Sequence, residues 1–396
     1  MKKYFLFFGL FFLTGLLFAQ SPTKASPEKA SPVKIKFVKA WHIDEQFAIP
    51  DTVPLDTARL NFQENNIIER FSADNSYNAN YGSPIQSKLY MKRPQGTDFI
   101  FEDAYKPYLM DVPAALFYDA NFPYTNLTYL TGGPAVSKEE QVKFLYTGSP
   151  SKKTNFGLNL DFLSSKGRYA NQAAKRFSGS IFGRYSGKHY SAYGLAAVNN
   201  HYNHENGGLS NLELLNNPNV DVQTKDMPTF IRGYSAFRKN TFFYNHNYSI
   251  GINREVKVTE DSTAYEYIPV TRFGHMIKFE EMKKRYYEPT LERKFYENTF
   301  DSINNTNDTA AVRTLTNLVS INLAEEFNRL MRFGLTGYVE NEVQQFTFFK
   351  DSLLQKTTKS NIRVGGILAK SQGTNLSYSI LGDIYLFGYN LGESRL

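Results

Sequence analysis

The sequence predicts an all-β protein: an antiparallel up-and-down transmembrane β-barrel with about 12–14 strands present. Three observations carry this. The first is period-two alternation, clearest over 155–185, where Phe156, Leu158, Leu160 and Phe162 share one face and Gly157, Asn159 and Asp161 the other. The second is composition: 33 Phe and 27 Tyr stand against a single Trp, Trp41. Aromatic residues favour strands, and Tyr favours surfaces where the ring is apolar and its tip wet. The third is the rhythm of the connections, short then long. Transmembrane barrels turn tightly on the periplasmic side and carry long loops outside, whereas a soluble sandwich has no reason to do so.

Residues 1–20 read as an export signal, with Lys2 and Lys3 before an apolar run from Tyr4 to Phe18 and a small residue for cleavage near Ala19. Residues 21–40 form a linker, "SPTKASPEKASPVK", whose repeated Ser-Pro and Lys keep it extended. Residues 41–112 are interrupted by Pro50, Pro54, Pro84, Pro94 and Pro107 and read as loops and short strands, a periplasmic or lumen-plugging segment.

The barrel then occupies 113–396. Thirteen candidate strands fall at 124–131, 139–147, 154–163, 176–186, 189–199, 229–238, 241–253, 271–281, 284–288, 312–323, 331–347, 358–370 and 375–389. In 241–253, Phe242, Tyr244, His246, Tyr248, Ile250 and Ile252 oppose Asn245, Asn247, Ser249 and Gly251; in 331–347, Phe333, Leu335 and Val339 oppose Arg332, Thr336 and Glu340. "KN" at 239–240 reads as a tight turn, and 278–294 as a turn followed by an outer loop. A mean hydropathy of −0.43 suits this plan, because only every second residue of such a strand meets lipid. Backbone groups then pair within a closed sheet, since hydrocarbon offers them no partner. A soluble secreted β-sandwich or solenoid is the alternative.

Charge and composition exclude several functions. The formal charge is +7, but residues 1–40, with seven Lys and one Glu, hold +6 of it, so the remainder is nearly neutral and no basic field for nucleic acid is implied. There is no Cys, hence no disulfide, thiolate ligand or cysteine nucleophile. "HYNHE" at 201–205 brings His201, His204 and Glu205 together, but in what reads as an Asn/Gly-rich loop rather than at zinc-ligand spacing. His246 and His275 read as wall residues. Ser and His occur on candidate strands without the spacing of a catalytic triad. The reading therefore includes no catalytic residues, no metal site and no cofactor. Lumen candidates from the alternation are Asn159, Asp161, Arg176, Arg184, Lys278, Arg332, Glu340 and Arg363; five cations against two carboxylates would favour anions, unless they pair with one another.

Several stretches resemble the outer-membrane porin family of Bacteroidota: "YGSP" at 81–84, "YKPYL" at 105–109, "FYDANFPYTNLTY" at 117–129, "GRYANQ" at 167–172 and "ENGG" at 205–208. The similarity spans roughly 55–390. It implies a β-barrel in the outer membrane acting as a porin, with no catalytic residues to carry over. The match is poor before "YGSP", and members of that family continue through further strands. An odd strand count and the polar ending "YNLGESRL" lead to the same expectation, that closing strands are missing from this chain.

The expected function is a porin-like channel for passive diffusion of small polar solutes in the cell outer membrane. Its expected partners are outer-membrane lipids, the barrel-insertion machinery and further copies of itself. Alternatives are a non-conducting barrel whose outer loops bind a partner or glycan, and an outer-membrane hydrolase.

Overall fold

A computed structural model of the chain describes residues 37–55, 67–78, 80–93, 98–216, 225–259, 262–290, 305–325, 333–350, 353–370 and 377–395. Its dominant element is one antiparallel sheet in sequential order. The strands are β6 (Tyr124–Gly132), β7 (Glu139–Ser151), β8 (Thr154–Ser165), β9 (Ala174–Ser186), β10 (Tyr190–Glu205), β11 (Gly233–Thr259), β12 (Ser262–Glu288), β13 (Thr306–Leu323), β14 (Gly334–Lys350), β15 (Leu353–Lys370), β16 (Tyr378–Gly388) and the short β17 (Ser394–Arg395). Each pairs with its chain neighbours, so the sheet is up-and-down throughout and has twelve strands. Among the described residues the ladder ends at β6 on one side and β17 on the other.

Before the large sheet come β1 (Val38–Ile43), β2 (Pro50–Val53), β3 (Asn75–Tyr77), β4 (Ile85–Ser87) and β5 (Phe117–Ala120). β1 pairs with β2 and β5 in a three-stranded sheet, and β3 with β4 in a hairpin. One helical turn, Ile67–Phe71, and 3-10 turns at Tyr90–Lys92, Ile100–Glu102 and Lys106–Tyr108 complete this segment. Among the described residues no helix is long and apolar enough to cross a membrane, which says nothing of crossing by strands.

Two strand assignments are corrected. The candidates at 229–238 and 241–253 are one strand, β11, and those at 271–281 and 284–288 are one strand, β12. Lys239 and Asn240 make no turn: they pair with Asn199 and Val198 on one side and with Met282 and Glu281 on the other. Two-residue hairpins need residues at ease with positive φ, and Lys239 has instead an inward place in the alternation. Residues 254–259 and 262–270, which fall between the candidate strands 241–253 and 271–281, continue the same hairpin. "HYNHE" ends β10 as strand, not loop. The short-then-long rhythm holds through β13: 152–153, 187–189 and 260–261 at one end against 133–138, 166–173, 206–232 and 289–305 at the other. Beyond β13 it reverses, with 324–333 at the first end and 351–352 at the second.

The two faces of the sheet differ as the alternation requires. On β9, Arg176, Ser178, Ser180 and Phe182 are buried while Phe177, Ile181 and Tyr185 are exposed. The exposed side is continuous across strands: ladder partners run Leu158, Ile181, Ala196, Phe242, Phe279, Leu315, Val343 from β8 to β14. A belt of that kind, left uncovered, suits acyl chains rather than water.

A charged concave face filled by the N-terminal segment

The other face is polar yet largely buried, because the described residues between 37 and 120 lie against it. One apolar cluster joins Trp41, Ile43, Val112, Phe117 and Tyr118 of the segment to Phe182, Leu195, Phe243, Met276, Leu318 and Tyr338, one from each of β9 to β14. Contact with six successive strands means that the sheet curls around the segment. Phe117 meets Phe182 edge-on at 6.0 Å and Tyr193 at 4.9 Å, the geometry aromatic quadrupoles prefer. Gly157 makes room here: a Cβ on it would lie 2.1 Å from the Phe182 ring. A second cluster sets Phe99, Tyr105 and Leu109 against Phe237, Met282 and Val312.

Polar contacts fix the position of the segment. Asn199 on β10 accepts from the Met110 N–H (2.8 Å) and donates to the Met110 carbonyl (3.0 Å), as a neighbouring strand would. Asn203 donates to the Tyr105 hydroxyl at 3.1 Å, Asn245 to the Gln46 carbonyl at 3.0 Å, and Gln344 to Asp98 at 2.7 Å. The Tyr81 N–H donates to Glu139 at 2.8 Å and its hydroxyl to Gln141 at 3.0 Å. Burial raises the phenol pKa of Tyr81, Tyr105 and Tyr108, so each remains a neutral hydrogen-bonding group.

Ion pairs supply the rest. Lys239 reaches Glu102 at 2.6 Å and Asp111 at 3.2 Å on the segment, and Glu280 at 3.0 Å on β12. Lys278 bridges Glu280 at 3.0 Å and Glu45 of the segment at 2.5 Å. Burial nevertheless holds the Glu45 carboxyl above its ordinary pKa, against the pull of Lys278. Arg184 pairs with Asp119 at 3.2 Å and lies over the Trp41 ring at 4.9 Å.

Of the expected lumen residues, Arg332 lies outside the described residues. Arg176 is paired with Asp161 at 2.6 Å and stacks over Tyr108 at 4.7 Å. Arg363 is paired with Glu340 at 2.6 Å and lies 3.6 Å from Asp383. Glu340 also accepts from Gln46 at 3.1 Å. Asn159 sits on β8, partly buried, opposite Ser180 of β9. The positive excess counted from the sequence is thus met by carboxylates the count left out: Glu45, Glu102, Asp111 and Asp119 of the segment, with Glu280 and Asp383 of the sheet. Lys239 was missed because it was read as a turn, although it continues the inward series Ser235, Phe237, Lys239, Thr241.

The histidines separate. His201 is fully buried against Tyr105 at 5.0 Å, Tyr108 at 5.9 Å and Phe237 at 6.0 Å. His204 packs on the Tyr202 ring at 5.1 Å, on the opposite face from His201, so the pair cannot share a ligand. His246 and His275 are ladder partners on the outward face, 3.1 Å apart through their ring nitrogens. Among the described residues no group of three or more His, Asp or Glu is arranged to hold a metal ion.

An inside-out sheet of this kind, apolar outside and polar around its own segment, is compatible with several membrane families. The family model described as "Putative porin" matches residues 37–396. The chain belongs to that family. No curated protein and no solved structure matches it. The match takes in the N-terminal segment as well as the sheet.

Proposed function

We propose that this porin-family chain is an outer-membrane channel whose lumen is closed at rest by residues 37–120, and that small polar solutes diffuse passively when this segment yields. The observation that carries the reading is the occupied concave face: charges that would line an open pore are spent on the segment, while the opposite face presents an apolar belt from β8 to β14. The family match and the all-β sheet support a porin-type role in the outer membrane. The reading assigns no catalytic step. Lipid supplies the solvent for the belt, and insertion by the barrel-assembly machinery and association with further copies belong to the same proposal.

The test is conductance in planar bilayers, comparing full-length protein with a variant lacking residues 41–112. Rare, small openings that become frequent and large on deletion are expected. Wide openings of the full-length protein that deletion leaves unchanged would refute the closed resting state. The same occupied lumen favours a second reading, a non-conducting barrel whose outer loops bind a partner or glycan. It would be supported if the deletion variant inserts but never conducts.

A further inference from the structure

At the end of the sheet closed by 187–189, the segment stops short of the wall and leaves a cleft of about 500 Å³. Ligand sites commonly fall between roughly 300 and 1,000 Å³. Residues 47–50 form one side, and two adjacent ladder rows form the other. The deeper row runs Ser191, Asn247, Gly274, Ser320; the outer runs Ser249, Arg272, Asn322, Thr336. We infer that this cleft binds an uncharged, polyhydroxylated solute, a small sugar; the inference rests on the porin reading and names the solute class for it.

Four features point there. Apart from Lys188 and Arg272, the polar lining is hydroxyl and carboxamide, groups that both donate and accept as sugar hydroxyls do, and Phe47, Ile49, Pro50, Tyr193, Tyr267 and Pro269 add apolar surface for the C–H face of a ring. Gly274 lets two of them converge, since a Cβ on it would lie 2.5 Å from Ser320 Oγ and 2.7 Å from Asn247 Oδ1. Asn322 donates to Thr336 Oγ1 at 2.7 Å, while its own Oδ1 is buried with no partner among the described residues. A small turn of the side chain would bring that acceptor to the cleft, where it favours a ligand carrying a donor, which a hydroxyl is and a fully ionised sulfate is not. Both cations at the cleft already have partners: Lys188 donates to Asn253 at 3.2 Å and lies over the Tyr267 ring at 5.2 Å, uncharged groups that leave its charge to water, and Arg272 is partnered. An adjoining cavity of about 750 Å³ shares Arg272, Asn322 and Thr336 and adds Asp44 and Asp51, which disfavours anions further.

The test uses full-length protein in detergent, titrated calorimetrically with maltose and separately with sulfate. Saturable maltose binding without sulfate binding is expected. Asn322→Leu, which removes the unpaired acceptor, should weaken maltose roughly tenfold. Gly274→Leu should abolish binding by filling the cleft, provided its folded, heat-modifiable band survives; Ser320→Ala, which adds no bulk, should weaken binding if it does not. The inference is overturned by absence of maltose binding, by preferred binding of sulfate, or by maltose affinity unchanged in Asn322→Leu. Conductance of the same preparations separates the two readings. Conduction without sugar binding defeats this inference alone, and sugar binding by the full-length protein with no conduction by either it or the variant lacking 41–112 defeats the channel reading alone.

Discussion

Replacing Lys239 with Met tests how the segment is held. The Lys239 side chain is 5% exposed and its ammonium faces three carboxylates, two of them, Glu102 and Asp111, on the segment. Lys278 remains 3.0 Å from Glu280 and can compensate only that one, so the loss falls on the segment. Charge-assisted hydrogen bonds contribute about 1.5–3 kcal/mol each, and breaking a buried ion pair costs about 3–5 kcal/mol because a charge is left uncompensated. Taking about 3 kcal/mol for the docked state, the ratio of docked to released segment falls by about two orders of magnitude. Hydrogen exchange of protein in lipid nanodiscs reads this directly: amides of 98–112 should exchange about a hundredfold faster, while those of β9 and β10 stay protected. Adding Glu102→Gln and Asp111→Asn should restore much of the protection, since no buried charge is then orphaned. Exchange of 98–112 within a few-fold of wild type, in protein shown to be folded, would refute the idea that this network holds the segment.

Other expectations follow from the same geometry. Ile181 is 63% exposed within the apolar belt. Ile181→Arg should cost about 2–4 kcal/mol in urea unfolding from lipid vesicles, whereas a water-facing site would shift by no more than about 0.5 kcal/mol. Phe182→Ala empties the contact with Phe117 and Tyr118 above Gly157 and should cost about 3–5 kcal/mol, read as a lower temperature for loss of the heat-modifiable band. Gly365→Ala would set a Cβ 2.5 Å from the Tyr338 hydroxyl and 2.6 Å from Asp383 Cβ, breaking the 2.7 Å hydrogen bond between those residues at a cost of about 1–3 kcal/mol, read as faster hydrogen exchange of β14 through β16. Glu45 has a docked pKa raised by burial, so its protonated form fits the docked segment better. Glu45→Gln should protect the segment more than wild type at pH 7, and the difference should close as pH falls through the raised docked pKa toward 4.5; a difference that widens on acidification would contradict the sign.

Local pattern made much of this legible. Period-two alternation assigns faces strand by strand, and β8, β9, β13 and β14 follow it because one side of each strand is left uncovered while the other faces polar and packed surroundings. Strand ends were less legible. Nothing local distinguishes "KN" in a turn from "KN" in a strand; Lys239 is kept in β11 by carboxylates more than a hundred residues earlier and forty later. The histidines of "HYNHE" were read as a loop for the same reason, since an Asn/Gly-rich neighbourhood signals a turn until flanking strands claim the backbone.

The sequence by itself determined the fold class and the alternation of apolar and polar faces along each strand, because these depend on neighbours one or two positions away. Only the tertiary structure decided what those inward charges do. Arg184, Lys239 and Lys278 meet Asp119, Glu102, Asp111 and Glu45 across a curled sheet, and pairing of that kind depends on three-dimensional distance, which chain separation does not encode.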